Sequence, residues 1–177
     1  EALRMFYIPE MRAVTEAIQS MPIVRAMIRA GYVDHIAIDN NLTGDKYGYM
    51  KPFEPKGGTL KQVVVLSPRL FGDLDKYRQK IVAHEVAHTL EGVVGLGKFK
   101  KAGRMAMLAR KIDHESPLGK MLKMPLQANS FDPESTSFAQ ELHAQLFAAY
   151  VQPDIREKLK QHQDLFYRLD TLYCNQE

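Results

Sequence analysis

Apolar positions recur along this chain with two different periods. From Pro9 onward, Met11, Val14, Ala17 and Ile18 fall on one face of a helix whose first turn holds Pro9 and Glu10. Ser20 and Pro22 read as a break and a new start, and a second helix runs to Ala30 with Gly31 as its stop. Val33, Ile36 and Ile38 then suggest a short strand. The stretch from Asn40 to Gly58 is rich in turn residues and reads as a hairpin or an irregular loop. The segment Leu60–Leu66 is the clearest strand and is ended by Ser67-Pro68. After Gly72, an Asp73 or Asp75 cap opens a helix over 75–91, through Ile81, Val82, Val86 and Leu90 to a stop at Gly92. Asp132-Pro133-Glu134 starts another, with Phe138, Leu142, Leu146 and Ala149 at helical spacing until Pro153. A last helix starts near Asp154 and buries Ile155, Leu159, Phe166 and Leu169. The pattern predicts an α+β domain over residues 1–177, with helices packed on a small, mostly antiparallel sheet.

Composition narrows the class. Apolar residues make up 45% and charged residues 25% of the 177, the balance of a globular chain with a real core. A disordered tail, a collagen-like repeat and a coiled-coil rod are excluded. No apolar run approaches the about 18 residues that span a bilayer. A net charge of +3 is too small to point to nucleic acid by itself. That charge is unevenly spread. The interval 98–123 holds eight Lys and Arg against Asp113 and Glu115, so residues 93–130 read as a basic insertion between two helices. Such a run is either a solvated insertion, with Met105, Leu108 and Ile112 packing inward, or a flap or contact for an anionic partner. Only Phe99 offers a stacking ring there, which argues against nucleic acid. The single cysteine, Cys174, cannot form an internal disulfide, and nothing near it in sequence would activate a thiol. The chain opens at Glu1 without Met, as expected of a module trimmed from a longer protein, and the compartment stays open.

The chemistry concentrates in His84-Glu85-Val86-Ala87-His88. At about 100° per residue, positions four apart share a face one turn apart, so both imidazoles can converge on one divalent ion. Glu85 is expected beside them on that stripe, turned toward solvent above the ion, while Val82, Val86 and Thr89 form a separate face for the core. A catalytic zinc takes three protein ligands and leaves a fourth position to water. His35, His114, His143, His162 and carboxylates of the later helix are available as the third. Glu141 is chosen, because it lies on a strongly signalled helix and off the Phe138/Leu142/Leu146 stripe. Gln145, one turn on, is placed to hydrogen-bond a ligating histidine.

With Zn2+ held by His84, His88 and Glu141, Glu85 becomes the general base and acid of peptide hydrolysis. A further donor to the oxyanion comes from Tyr150, His143, His114 or Tyr167, with Tyr150 and His143 preferred for their place on or near the Glu141 helix. The 60–66 strand is either an edge that pairs with an extended substrate or a core strand buried on both faces.

This constellation resembles the gluzincin group of zincin-like zinc metallopeptidases. The run from Glu141 through Ala144-Gln145, Phe147-Ala148 and Pro153 is also similar to the second motif of the ImmA/IrrE-like family. There a ligand Glu precedes an Ala-Asn/Asp step, a Phe-Ala pair and a terminal Pro. Carried over, Glu141 matches the ligand, Gln145 the Asn/Asp, and Phe147-Ala148 the packing pair. His143 stands where that family usually has an acidic residue. The resemblance implies a zinc-dependent endopeptidase acting on a protein or peptide. Similar cores also occur in bacterial toxin and effector modules, so the setting is either a regulatory protease in the bacterial cytoplasm or a secreted, delivered enzyme. From another class comes a non-catalytic metal-binding or docking module. Glu85 argues against it, since a closed structural site has no use for a carboxylate there.

Overall fold

The computed structural model describes residues 9–42, 47–53, 58, 61–72, 77–90, 116–122 and 136–174. The chain forms two compact units, Glu1–Thr89 and Leu90–Glu177, and the class is α+β.

The first unit opens with helices α1 (Pro9–Gln19) and α2 (Pro22–Arg29). Ser20 Oγ donates to Ala17 O where α1 stops, and Pro22 supplies a preset φ at the first position of α2. Gly31 ends this hairpin at φ 86°, a left-handed conformation that glycine adopts without a Cβ penalty. Of the face expected in α1, Val14 and Ala17 are buried while Met11 and Ile18 stay part-exposed, and Met21, Val24 and Met27 are buried as well.

Three strands follow: β1 (His35–Ile38), β2 (Gly48–Phe53) and β3 (Lys61–Leu66), in the order β1-β3-β2. The Asn40–Gly58 stretch therefore contains a strand, and β2 pairs antiparallel with β3, Gly48 opposite Leu66 and Phe53 opposite Lys61. β1 pairs with β3 in parallel, from His35 opposite Val63 to Ile38 opposite Leu66. The sheet is thus mixed, which corrects the mostly antiparallel expectation. The chain reverses twice between β1 and β3, so β3 regains the direction of β1 and meets it in parallel. Backbone bonds from Asp34 N to Gln62 O and from Asp39 N to Leu66 O extend that ladder at both ends.

β3 is central. Val64, Val65 and Leu66 are buried in succession, so both faces of its C-terminal half are covered. The strand-addition reading of the 60–66 segment is overturned, because both of its edges are already paired. β2 has one paired neighbour among the described residues. Ser67 N donates to Tyr47 O at 2.9 Å, so Tyr47, Tyr49 and Lys51 face β3 while Gly48, Met50 and Pro52 turn their backbone groups the other way. Pro52, with no N–H, occupies an outward position where none is needed.

A 3-10 turn, Pro68–Phe71, leads to helix α3 (Arg78–Ala87), which packs on β2, β3 and α1. It is followed by a 3-10 turn at His88–Leu90.

In the second unit, helix α4 (Pro117–Leu122) lies within the basic segment, of which residues 116–122 are described. Helix α5 (Thr136–Val151) is buried over most of its circumference, with Leu142, Ala144, Leu146, Phe147 and Ala148 inaccessible. Helices α6 (Pro153–Leu159) and α7 (Gln163–Cys174) both pack on it. The single last helix expected from sequence is thus two. The chain turns at Lys160–His162, where Gln161 N bonds Lys158 O and His162 N bonds Leu159 O. These three-residue bonds tighten the end of α6 and let α7 restart against α5. No helix among the described residues is long and apolar enough to cross a membrane.

Candidate metal centre

The setting of α3 fixes which way its side chains point. At its N-terminus, Arg78 Nε donates to Leu70 O at 2.8 Å and the guanidinium lies 5.4 Å over the Phe71 ring. Gln79 Nε2 reaches Ser20 Oγ at 2.9 Å. At the other end, Thr89 Oγ1 donates to Val86 O at 2.7 Å and closes the last turn. Val82 and Val86 are fully buried and Thr89 nearly so, which is the core face the spacing predicts.

The rotation so defined leaves His84 and His88 part-exposed. Their rings converge, with centroids 5.0 Å apart and planes at 80°. His88 is the first residue past the α-helix but keeps helical dihedrals, φ −60° and ψ −22°, so the one-turn relation survives the change to 3-10 geometry.

Glu85 is only 7% exposed, which corrects its expected orientation toward solvent. On the helical wheel it stands about 100° from His84, between the ligand stripe and the Val82/Val86 face. The sheet reaches far enough round the helix to cover that border. The Glu85 side chain lies against Gly48 at the start of β2. A Cβ built on Gly48 would stand 2.7 Å from Glu85 Cγ and 3.0 Å from its Oε1.

Glu141 and Gln145 lie one turn apart on α5, both part-exposed on a helix otherwise mostly buried. His84, His88 and Glu141 each offer one ligand atom, and these atoms all lie within 4.8 Å of one another, so the group could hold a metal ion. A tetrahedral shell with bonds of about 2.1 Å sets its donors about 3.4 Å apart. The remaining difference is within the reach of small side-chain rotations. Two imidazoles and a carboxylate are the donor types of a borderline-soft divalent ion. Gln145 Oε1 is buried without a hydrogen-bond partner, so the bond to a ligating histidine expected of it is absent here.

The remaining candidates separate by their surroundings. His143 is fully buried on α5, and its Nδ1 lies 2.8 Å from the Tyr173 hydroxyl. Burial pushes the Tyr173 phenol well above its usual pKa, with the neighbouring Tyr150 adding to the rise. Tyr150, also fully buried, donates its hydroxyl proton to Asp170 Oδ1 at 2.6 Å and accepts from Arg156 at 3.0 Å. The proton it would lend an oxyanion is thus engaged elsewhere. Tyr167 is 72% exposed on α7. His35 and His162 are exposed and take no part in the ligand group, and His114 lies outside the described residues. Gly48 was not singled out by the sequence. A glycine inside a strand segment is a signal of close approach, but the turn-rich run around it hides that signal. Asp170 and Arg156 likewise carried no motif.

No family model matches the sequence, and no curated protein matches it significantly.

Proposed function

We propose that this protein is a zinc-dependent endopeptidase in which His84, His88 and Glu141 hold the metal and Glu85 is the general base and acid. The observation that carries this reading is the convergence of three ligand atoms within 4.8 Å, with a buried carboxylate on the same helix beside two of them. Burying a carboxylate is costly even when it is paired. Keeping one at the border of a histidine stripe therefore speaks for a chemical task.

Zinc held by His84, His88 and Glu141 would polarise a peptide carbonyl and lower the pKa of a water to about 7. Glu85 would take a proton from the water that attacks the carbonyl carbon and deliver it to the leaving amine. The low exposure of Glu85 keeps bulk water from competing for the proton. The outward backbone groups of Gly48 and Met50 on β2 supply the main-chain partners that an extended peptide needs.

The test compares wild type with Glu85→Gln. Both should bind zinc stoichiometrically. New protein termini should appear in a proteome digested by the wild type and be absent with the variant. Equal cleavage by the two proteins would remove Glu85 from the mechanism, and no cleavage by zinc-loaded wild type would remove the peptidase reading.

A further inference from the structure

The contact between Gly48 and Glu85 joins strand β2 to helix α3 at one bare Cα. We propose that Gly48 is a positioning residue, whose missing side chain is the space in which the Glu85 carboxylate is seated. The functional half of this proposal rests on Glu85 being the base.

Backbone conformation does not explain a glycine here. Its φ lies outside the left-handed region, and the position is an ordinary antiparallel pair opposite Leu66. A glycine in a strand weakens it, through chain entropy and the lack of a side chain to pack. The space does explain it. An added Cβ would sit 2.7 Å from Glu85 Cγ, 3.0 Å from Cδ and 3.0 Å from Oε1, where the closest meets a methylene in mid-side-chain.

Neither backbone can withdraw easily. β2 is tied at the adjacent residue, where Ser67 N donates to Tyr47 O at 2.9 Å and the Arg69 guanidinium lies 5.6 Å over the Tyr47 ring. α3 is held by the buried Val82 and Val86. What yields is the Glu85 side chain, which must rotate at χ1 and carry its carboxylate away from the ligand stripe. A displacement of about 1 Å in a catalytic group costs on the order of a hundredfold in rate.

The test is a double-mutant cycle on thermal unfolding of the full chain without metal, using Gly48→Ala, Glu85→Ala and the double variant. With Glu85 present, Gly48→Ala should lower the midpoint by roughly 3–10 °C, as overpacking does in a domain of this size. In the Glu85→Ala background it should change little or raise the midpoint, because the obstructing methylene is gone. A single variant that fails to fold while the double variant folds supports the contact equally. Equal losses in both backgrounds, or failure of both to fold, would overturn the proposal.

Zinc affinity of Gly48→Ala, read by competition with a chromophoric chelator, should stay within about threefold of wild type, since the ligands are not displaced. With the fastest-cleaved member of a proteome-derived peptide library, kcat should fall about a hundredfold with KM nearly unchanged. A wild-type kcat in this variant would overturn the positioning role. A wild type that cleaves no peptide would instead defeat the peptidase reading, and the unfolding cycle would still decide the contact.

Discussion

Replacing Tyr173 by Phe probes how the helix that carries Glu141 is held, and the effect should depend on pH. Tyr173 packs on α5 through Phe147, ring centroids 5.0 Å apart and planes at 79°, and through Tyr150 at 5.5 Å. Its hydroxyl serves His143 twice, at Nδ1 (2.8 Å) and at the backbone carbonyl, to which it donates at 3.3 Å. Phe keeps the ring packing and removes those bonds, which costs about 1–3 kcal/mol at neutral pH because His143 is fully buried. Burial holds the folded-state phenol protonated well above the ordinary range, whereas in the unfolded chain it ionises near about 10. Above that pH the unfolded wild type binds fewer protons than the folded one, so its stability falls as pH rises. At pH 11 an unfolded phenol of pKa about 10 gains about 1.4 kcal/mol from ionisation. The Phe variant lacks this loss, while the other titrating side chains contribute alike to both proteins. The stability gap should therefore shrink by about 1.4 kcal/mol between pH 8 and pH 11. Urea unfolding followed by far-UV circular dichroism at the two pH values measures it. A gap that does not change with pH would show that the Tyr173 hydroxyl titrates as an exposed phenol, and the account of its burial would fail.

Removing Glu141 tests the proposed ligand that lies apart in sequence from the histidines. Glu141→Ala should weaken zinc binding by at least about a hundredfold, more than loss of a group that only orients a ligand, and dialysis against graded chelator reads this out. Retention of zinc in that variant would mean that another side chain is the third ligand. Gly31→Ala should destabilise the first unit by about 1–2 kcal/mol, the cost of a left-handed residue with a Cβ. Nothing lies within 4 Å of the added carbon, so no packing effect is mixed in. Gly31→Asn should lose less, because Asn enters that region more readily, and equal unfolding midpoints for the two variants would contradict the conformational argument.

The helices were legible where a start or stop residue sat beside a periodic run. Pro9, Pro22 and Pro153 each open a helix in the structure, and Gly31 closes one. The break between α6 and α7 was not legible, since no Gly or Pro occurs at Lys160–His162 and the turn is favoured by packing against α5. Strand β2 was hidden because its own Pro52 and Gly48 look like loop residues. Both have a place only once β3 is its partner: Pro52 points outward, and Gly48 makes room for a side chain of α3. Strand order was beyond the sequence as well. The β1-β3-β2 arrangement depends on which edge of β3 each neighbour takes, and hydrophobic pattern alone does not distinguish them.

The same divide between local and distant information runs through the site. His84 and His88 are related by helical geometry alone, so their convergence could be read from spacing, and the structure brings the rings to 5.0 Å. Glu141 could be placed on a face, because it lies off the Phe138/Leu142/Leu146 stripe of α5. Its meeting with the histidines is long-range and needed coordinates. Glu85 falls between these cases. Its angular position, about 100° from His84, is compatible with solvent or with burial, and what decides is how far the sheet extends around α3. At Gly48 the strand comes close with no side chain in the way, and a Cβ there would stand 2.7 Å from Glu85 Cγ. A residue that looked like part of a turn thus borders the carboxylate beside the histidine stripe, and the positioning role proposed for it rests on that contact. The enclosure, more than the spacing of the motif, distinguishes a proton-transfer group from an acidic residue on a helix surface.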